Sequence, residues 1–295
     1  MAKATQEDII TQACDGALEL IRKKSPERYA DLEADPAKKE KLSQAARATA
    51  TECVQLAAEF ADKPGTDIAQ RLAKHLSADR IKLIRAGLSI PTFRMDVTQK
   101  DNGRYCVELT RDDKSFMSGT RVFFGTNDVD WAIQNQYASI LVEAVLLVMS
   151  AVGIAPDVSE GVMEQTVKDV AEAIESSSTL KRAVDDFIKA WNTAGEDAYE
   201  KAKAIFELID GAFDANIFWT IVKSLCQDMA WYDWLETAAK VAAMIVAALA
   251  TDGAALIAEI AEIVLDAVDF ARKMANVAKL KKIREIVRKQ NSGFH

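Results

Sequence analysis

The stretch "YASILVEAVLLVMSAVGI", residues 137–154, decides how this chain is read. Its 18 residues carry one charge, Glu143. As an α-helix they would reach ~27 Å, close to the thickness of a bilayer core. On a membrane-insertion scale its large apolar residues return about 3–6 kcal/mol and Glu143 costs about 2.5–3.5 kcal/mol. The sum lies near zero or slightly in favour of lipid. Such a segment suits the central helix of a water-soluble bundle, apolar on most sides. It also suits a helix that enters a membrane through Ile140, Leu141, Glu143, Leu146, Leu147 and Met149. In that second setting protonation of Glu143 lowers the cost, so insertion should rise below neutral pH. Enclosure by helices on all sides would make insertion demand unfolding of most of the chain.

A second apolar stretch, "KVAAMIVAALATDGAALIAEIAEIVLDAV" (240–268), reads differently. It is two helical arms folded at Thr251-Asp252-Gly253. The first arm is uncharged only over 241–250, ~15 Å of helix or half a bilayer core. The second carries Glu259, Glu262, Asp266 and Asp269 at spacings that set all of them on one face. Carboxylates at the middle of a bilayer would cost ~10 kcal/mol or more together, beyond what the arm's aliphatic residues return. The hairpin is therefore expected inside a soluble core. Its many alanines, Ala238, Ala239, Ala242, Ala243, Ala247 and Ala248 among them, let helices approach closely. Trp219, Trp231, Tyr232 and Trp234 upstream add apolar surface in preference to an interfacial belt. The acidic stripe reads as the wet side of an amphipathic helix; a metal site or a channel lining is the alternative.

Working outward, the chain has 295 residues, 49% hydrophobic and 28% charged, a globular mixture long enough for a sizeable core. Only 12 Gly and 5 Pro interrupt an Ala-, Glu-, Lys- and Leu-rich composition that favours helix. Thr5 with Asp8 marks a helix start, followed by Ile9, Ala13, Ala17 and Leu20 at helical spacing. Ser25-Pro26 interrupts, a short helix follows near 27–32, and Asp35-Pro36 opens a long one to about residue 61. Lys63-Pro64-Gly65 ends it, and Thr66 and Ser77 can cap shorter helices up to Gly87.

The period then changes from helical to alternating. "TFRMDVT" (92–98) puts Phe93, Met95 and Val97 on one face, "QKDNG" is turn chemistry, and "RYCVELT" (104–110) alternates through Tyr105, Val107 and Leu109. A polar connection leads to a third run, "TRVFFG" (120–125). After Asp130 everything reads as helix again: a long apolar one from Trp131, one capped by Ser159, then helices near 179–192, 196–211 and 214–230. The second arm of the alanine-rich hairpin is expected to continue to Lys289. The fold class is therefore mainly α (α+β): a multi-helix bundle with one small antiparallel β meander or hairpin at about 90–125. Its parts are a helical region 1–89, a β ribbon 90–127, and a bundle 128–295 holding the apolar helix 131–153 and the hairpin 235–289, all in one unit.

Chemistry is sparse. His75 sits among charged neighbours and His295 is the last residue, so no Ser-His-Asp or Cys-His site is legible. No zinc spacing and no phosphate-binding glycine motif occurs, so no metal, no cofactor and no enzyme activity is expected. A net charge of −8 and a pI near 5.1 argue against nucleic acid. The charge is uneven: 272–289 is basic, and Lys279, Lys281, Lys282, Arg284 and Arg288 there are candidates for headgroup contact with an anionic membrane. A solvated helix end complementing its own dipole is the other reading. Cys14, Cys53, Cys106 and Cys226 are scattered and read as reduced thiols, although four could form two bridges. The N-terminus lacks the apolar run of a signal peptide, so the chain is expected to be made in the cytoplasm, with release by a leaderless route open.

A helical chain with one β ribbon directly before a near-spanning helix resembles, in plan and over residues 90–155, the α-helical pore-forming toxins of the cytolysin A type. The resemblance implies a soluble bundle whose ribbon or apolar tongue meets a membrane before assembly. It carries no functional residue across, and Arg94, Asp96, Lys100, Asp101 and Arg104 make this ribbon polar. Two functions follow. One is a soluble protein that converts to a membrane-bound, oligomeric, pore-forming state through 137–154. The other is a non-catalytic scaffold or self-assembling module that binds protein through helix packing and strand addition.

Overall fold

Thr5 opens the first helix as its spacing predicts: the Asp8 amide donates to its hydroxyl at 3.2 Å, and its own amide donates to the Asp8 carboxylate at 2.9 Å. In this computed structural model the described residues are 5–60, 82, 94–111, 114–154, 158–251, 253–264 and 268–292. Helix α1 (Gln6–Lys24) buries Ile10, Ala13, Ala17 and Ile21. The stripe is displaced by one position at each end from the expected one, leaving Ile9 and Leu20 half-buried. Helix α2 (Pro26–Glu33) follows Ser25, and α3 (Pro36–Phe60) starts where Asp35 accepts the Lys38 amide at 3.1 Å. The expected helices after Lys63, and with them His75, lie outside the described residues, as does His295.

The β segment is a three-stranded antiparallel meander in the order β1 (Arg94–Gln99), β2 (Tyr105–Arg111), β3 (Lys114–Val122). Met95 pairs with Leu109 and Val97 with Val107, which puts one buried face on the bundle side. Phe93 lies outside the described residues. The third strand starts well before the expected Thr120, because Arg111 already pairs with Lys114 across a tight connection. An edge strand needs backbone partners on one side only, so its polar sequence gave no alternation to read.

The remaining helices are α4 (Thr126–Ala151), α5 (Glu160–Ser176), α6 (Ser178–Ala194), α7 (Ala198–Asp214), α8 (Ile217–Leu225), α9 (Trp231–Ala250), α10 (Ala254–Val264) and α11 (Val268–Ser292). The second hairpin arm is thus described as α10 and α11, flanking 265–267. Their main neighbours differ: α10 lies chiefly on α3 and α7, whereas α11 lies along α4 and β1. The fold is mainly α, a bundle carrying one small sheet, as its composition and periodicity imply.

The alanine-rich hairpin is interior. Helix α9 packs between α1 and α3, with Ala238, Ala239, Ala242, Ala243, Ala247 and Ala248 all buried. A methyl group at Gly16 would already meet Val246 at 3.3 Å, so α1 and α9 approach as closely as small residues allow. Trp219 and Trp234 are buried too, while Trp231 is 38% exposed, so the tryptophans do not form a surface belt. The bend needs Gly253: its φ is +79°, and an added Cβ would stand 2.5 Å from the Phe206 ring. Gly253→Ala is expected to destabilise the protein by about 2–4 kcal/mol, from left-handed strain plus overpacking. Chemical denaturation measures it, and a loss below the error of the method would contradict this packing.

Candidate functional site

Helix α4 is enclosed. It touches α5, α6, α7, α8, α10 and α11. Of the proposed insertion residues, Ile140, Leu141, Leu146, Leu147 and Met149 are all buried. Helix α4 alone among the described residues is long and apolar enough to cross a membrane, and 94% of its most apolar window is inside the bundle. Its lone central charge is answered from α11: Lys273 Nζ donates to Glu143 Oε2, with the two side chains only 5% and 12% exposed. Lys273 lies in the stripe Phe270, Met274, Val277 and Leu280 that α11 turns inward. Phe270 completes the contact by joining Phe187 and Trp191 of α6, with ring centroids 5.8 and 5.3 Å away.

Taking two charges out of water costs several kcal/mol each, and their attraction offsets that only while both are present. Lys273→Met should therefore cost about 3–5 kcal/mol, whereas the double variant Glu143→Leu/Lys273→Met should recover most of it. Urea unfolding of the four proteins in the cycle measures the coupling; additive losses would contradict a partnered pair.

The basic end is largely committed within the molecule. Lys279 donates to the Val97 carbonyl, and Asn276 Nδ2 donates to the Met95 carbonyl at 2.7 Å, so α11 covers the outer edge of β1. The sheet thus packs on the bundle. Lys281 meets Asp185 at 2.7 Å and Arg284 meets Asp130 at 2.7 Å. Lys282 is exposed, and Arg288 is exposed beside Glu285 at 4.0 Å. The headgroup set is therefore not one free cationic face. Of the acidic stripe, Asp266 and the side chains of Glu259, Glu262 and Asp269 lie outside the described residues.

Two adjoining hollows flank the N-terminal half of α4, about 680 and 350 Å³ in volume. Trp131, Gln134 and Glu175 belong to both. In the larger, the Tyr137 hydroxyl and Lys281 share Asp185. Burial, helped by the Asp185 bond, pushes Tyr137 up to about 12. Burial works against the Lys281 charge, but its bonds to Asp185 and Tyr137 outweigh it and hold the amine above its ordinary value. At neutral pH Tyr137 and Lys281 both keep their protons, which suits holding shape and not abstracting a proton. Among the described residues no three His, Cys, Asp or Glu side chains converge on a metal-sized space, and the four cysteines are thiols. Burial pushes Cys226 up to about 12, far from a reactive thiolate.

Where β3 meets α4, Phe124 is 71% exposed. The Arg104 guanidinium lies 5.0 Å over its ring, and Arg121 lies 4.4 Å over Trp131. Asp128 ties this corner together, accepting from the Phe124 amide at 2.9 Å, the Gly125 amide at 3.1 Å and Arg121 at 3.0 Å. Burial alone would raise its pKa, but the Phe124, Arg121 and Gly125 bonds together hold it below the ordinary 3.8. A depressed carboxylate stabilises fully above its unfolded pKa and loses that contribution as pH falls through its folded one. Asp128→Asn should cost about 1 kcal/mol at neutral pH. The difference from wild type should vanish in acid below the ordinary carboxylate range; a pH-independent difference would contradict this.

Sequence reading missed the pairing of Lys273 with Glu143, that of Lys281 with Asp185, and the Arg104–Phe124 stack. Only Lys273 left a signal, a cation at a stripe position of an otherwise apolar face. Compared with protein-family models, curated proteins and solved structures, the chain matches none.

Proposed function

We propose that this chain is a non-catalytic helical protein that stays folded and works by associating with protein, first of all with a second copy of itself. The observation that carries the reading is Phe124, a large apolar ring held out in water beneath Arg104, next to a tryptophan beneath Arg121. Exposed aromatic and arginine side chains set together are the composition of interface hot spots. The corner is basic in a chain of net charge −8, and α1 turns Asp8 and Asp15 to solvent, so one copy offers charge that another can answer. Enclosure of α4 supports work in the folded state, since withdrawing it would strip Glu143 from Lys273 and open the core.

A second reading, conversion to a pore-forming membrane state, is favoured by one observation, the spanning length and apolar surface of α4. Sedimentation velocity at rising concentration, beside leakage of dye from anionic vesicles at neutral and acidic pH, separates the two. We expect reversible association that Phe124→Ser weakens about tenfold or more, and no leakage. A monomer at every concentration, or association untouched by the substitution, would overturn the first reading. Leakage that persists in Phe124→Ser would favour the second.

A further inference from the structure

The turn that joins β1 to β2 carries the one Asn-Gly step in the chain, Asn102-Gly103. Both residues and their neighbours Asp101 and Arg104 are exposed. Gly103 stands at φ +77°, a left-handed backbone that glycine takes without strain. The Arg104 amide donates to Asn102 Oδ1 at 3.1 Å, the turn in which asparagine bonds its own backbone two residues on. That bond draws electrons from Cγ and makes the side-chain carbonyl a better electrophile. The nearest nucleophile is the Gly103 nitrogen, and glycine has no side chain to hinder its approach. The same nitrogen donates to the Lys100 carbonyl at 2.8 Å, so attack must wait for the turn to open. An exposed hairpin tip opens locally, at far less cost than global unfolding.

The other asparagines lack this combination. Asn127, Asn135, Asn192, Asn276 and Asn291 lie inside helices, whose regular backbone keeps the following nitrogen away from the side-chain carbonyl. Asn216 precedes the β-branched Ile217, which crowds the same attack.

We infer that Asn102 is a site of spontaneous deamidation, and that its conversion is a slow, one-way clock on the Phe124 surface. The Gly103 nitrogen attacks Asn102 Cγ and gives up its proton. The new N–Cγ bond forms, the Cγ–Nδ2 bond breaks, and Nδ2 takes up a proton and leaves as ammonia. Water then opens the succinimide ring. Opening at the backbone carbonyl leaves isoaspartate, with the main chain running through the side chain; opening at the other carbonyl leaves aspartate. Nothing is oxidised or reduced. Isoaspartate lengthens the main chain of a turn closed by the Lys100 amide on the Arg104 carbonyl at 2.8 Å, and it sets a carboxylate beside Arg104. The guanidinium that lies 5.0 Å over the Phe124 ring is thereby drawn from it. The effect on assembly rests on the self-association proposed above; the chemistry at Asn102 does not.

Ageing the purified whole protein in heavy-oxygen water at mildly acidic and mildly alkaline pH, followed by peptide mass analysis, tests the site. We expect position 102 to convert ahead of every other asparagine, faster at the alkaline pH, with a solvent oxygen taken up and isoaspartate in excess of aspartate. Gly103→Asn tolerates the left-handed backbone and hinders ring closure, so it should slow conversion at position 102 about tenfold or more. Sedimentation velocity of the aged proteins should show association about fivefold weaker for wild type and unchanged for Gly103→Asn. Conversion at position 102 no faster than at other asparagines, or undiminished in Gly103→Asn, overturns the inference. So does an isoaspartate form that associates as tightly as fresh protein. Fresh protein that stays monomeric would overturn the self-association reading and with it the clock, while the modification itself would still stand or fall on the masses.

Discussion

One buried ion pair, Glu143 with Lys273, sets the arrangement of half the molecule. Its partners are 130 residues apart in the chain and form the buried ion pair between α4 and α11, whereas the Arg284–Asp130 pair between the same helices is half-exposed. Apolar packing alone tolerates sliding and rotation; two desolvated charges do not, because a misaligned pair leaves both uncompensated. With the pair closed, α11 lies along α4 in one register. That register delivers Asn276 and Lys279 to the edge carbonyls of β1 and Lys281 and Arg284 to Asp185 and Asp130. The sheet, and hence the Phe124 corner and the neighbouring groove, take their positions from it.

The other half is organised by size instead of charge. Helix α9 places alanines against α1 and α3, Gly16 admits Val246, and Gly253 turns the chain under Phe206. Close approach gains many small dispersion contacts and leaves little room for substitution in either direction. The two halves meet where α10 passes between α3 and α7 and touches α4.

Much of this was legible from local signals. The cap at Thr5, the break at Ser25-Pro26, the cap at Asp35 and the alternation through Met95, Val97, Val107 and Leu109 each depend on neighbours in sequence. The alanine-rich bend read as interior for an energetic reason, its carboxylates, that holds without coordinates. The polar third strand was not legible, because backbone pairing alone makes it a strand. Nor was the fate of the basic end: charge counting sees five candidate cations at a surface, and only the fold shows Lys279, Lys281 and Arg284 already bonded within the molecule. The groove was invisible for the same reason. Its walls come from α4, α5, α6 and α11 with Arg121 of the sheet, segments far apart in the chain.

The apolar stretch that could suit lipid is, in the folded protein, buried along most of its length. Its hydrophobicity is explained by six neighbouring helices, and its one central charge by Lys273. Native-state hydrogen exchange of α4 amides, read with and without anionic vesicles at neutral and acidic pH, tests this most directly. If α4 is the locked centre of the bundle, amides from Ile140 to Met149 exchange only through global unfolding under all these conditions, among the slowest in the chain. Exchange of that segment through a smaller opening that leaves α1, α3 and α9 protected would contradict the account.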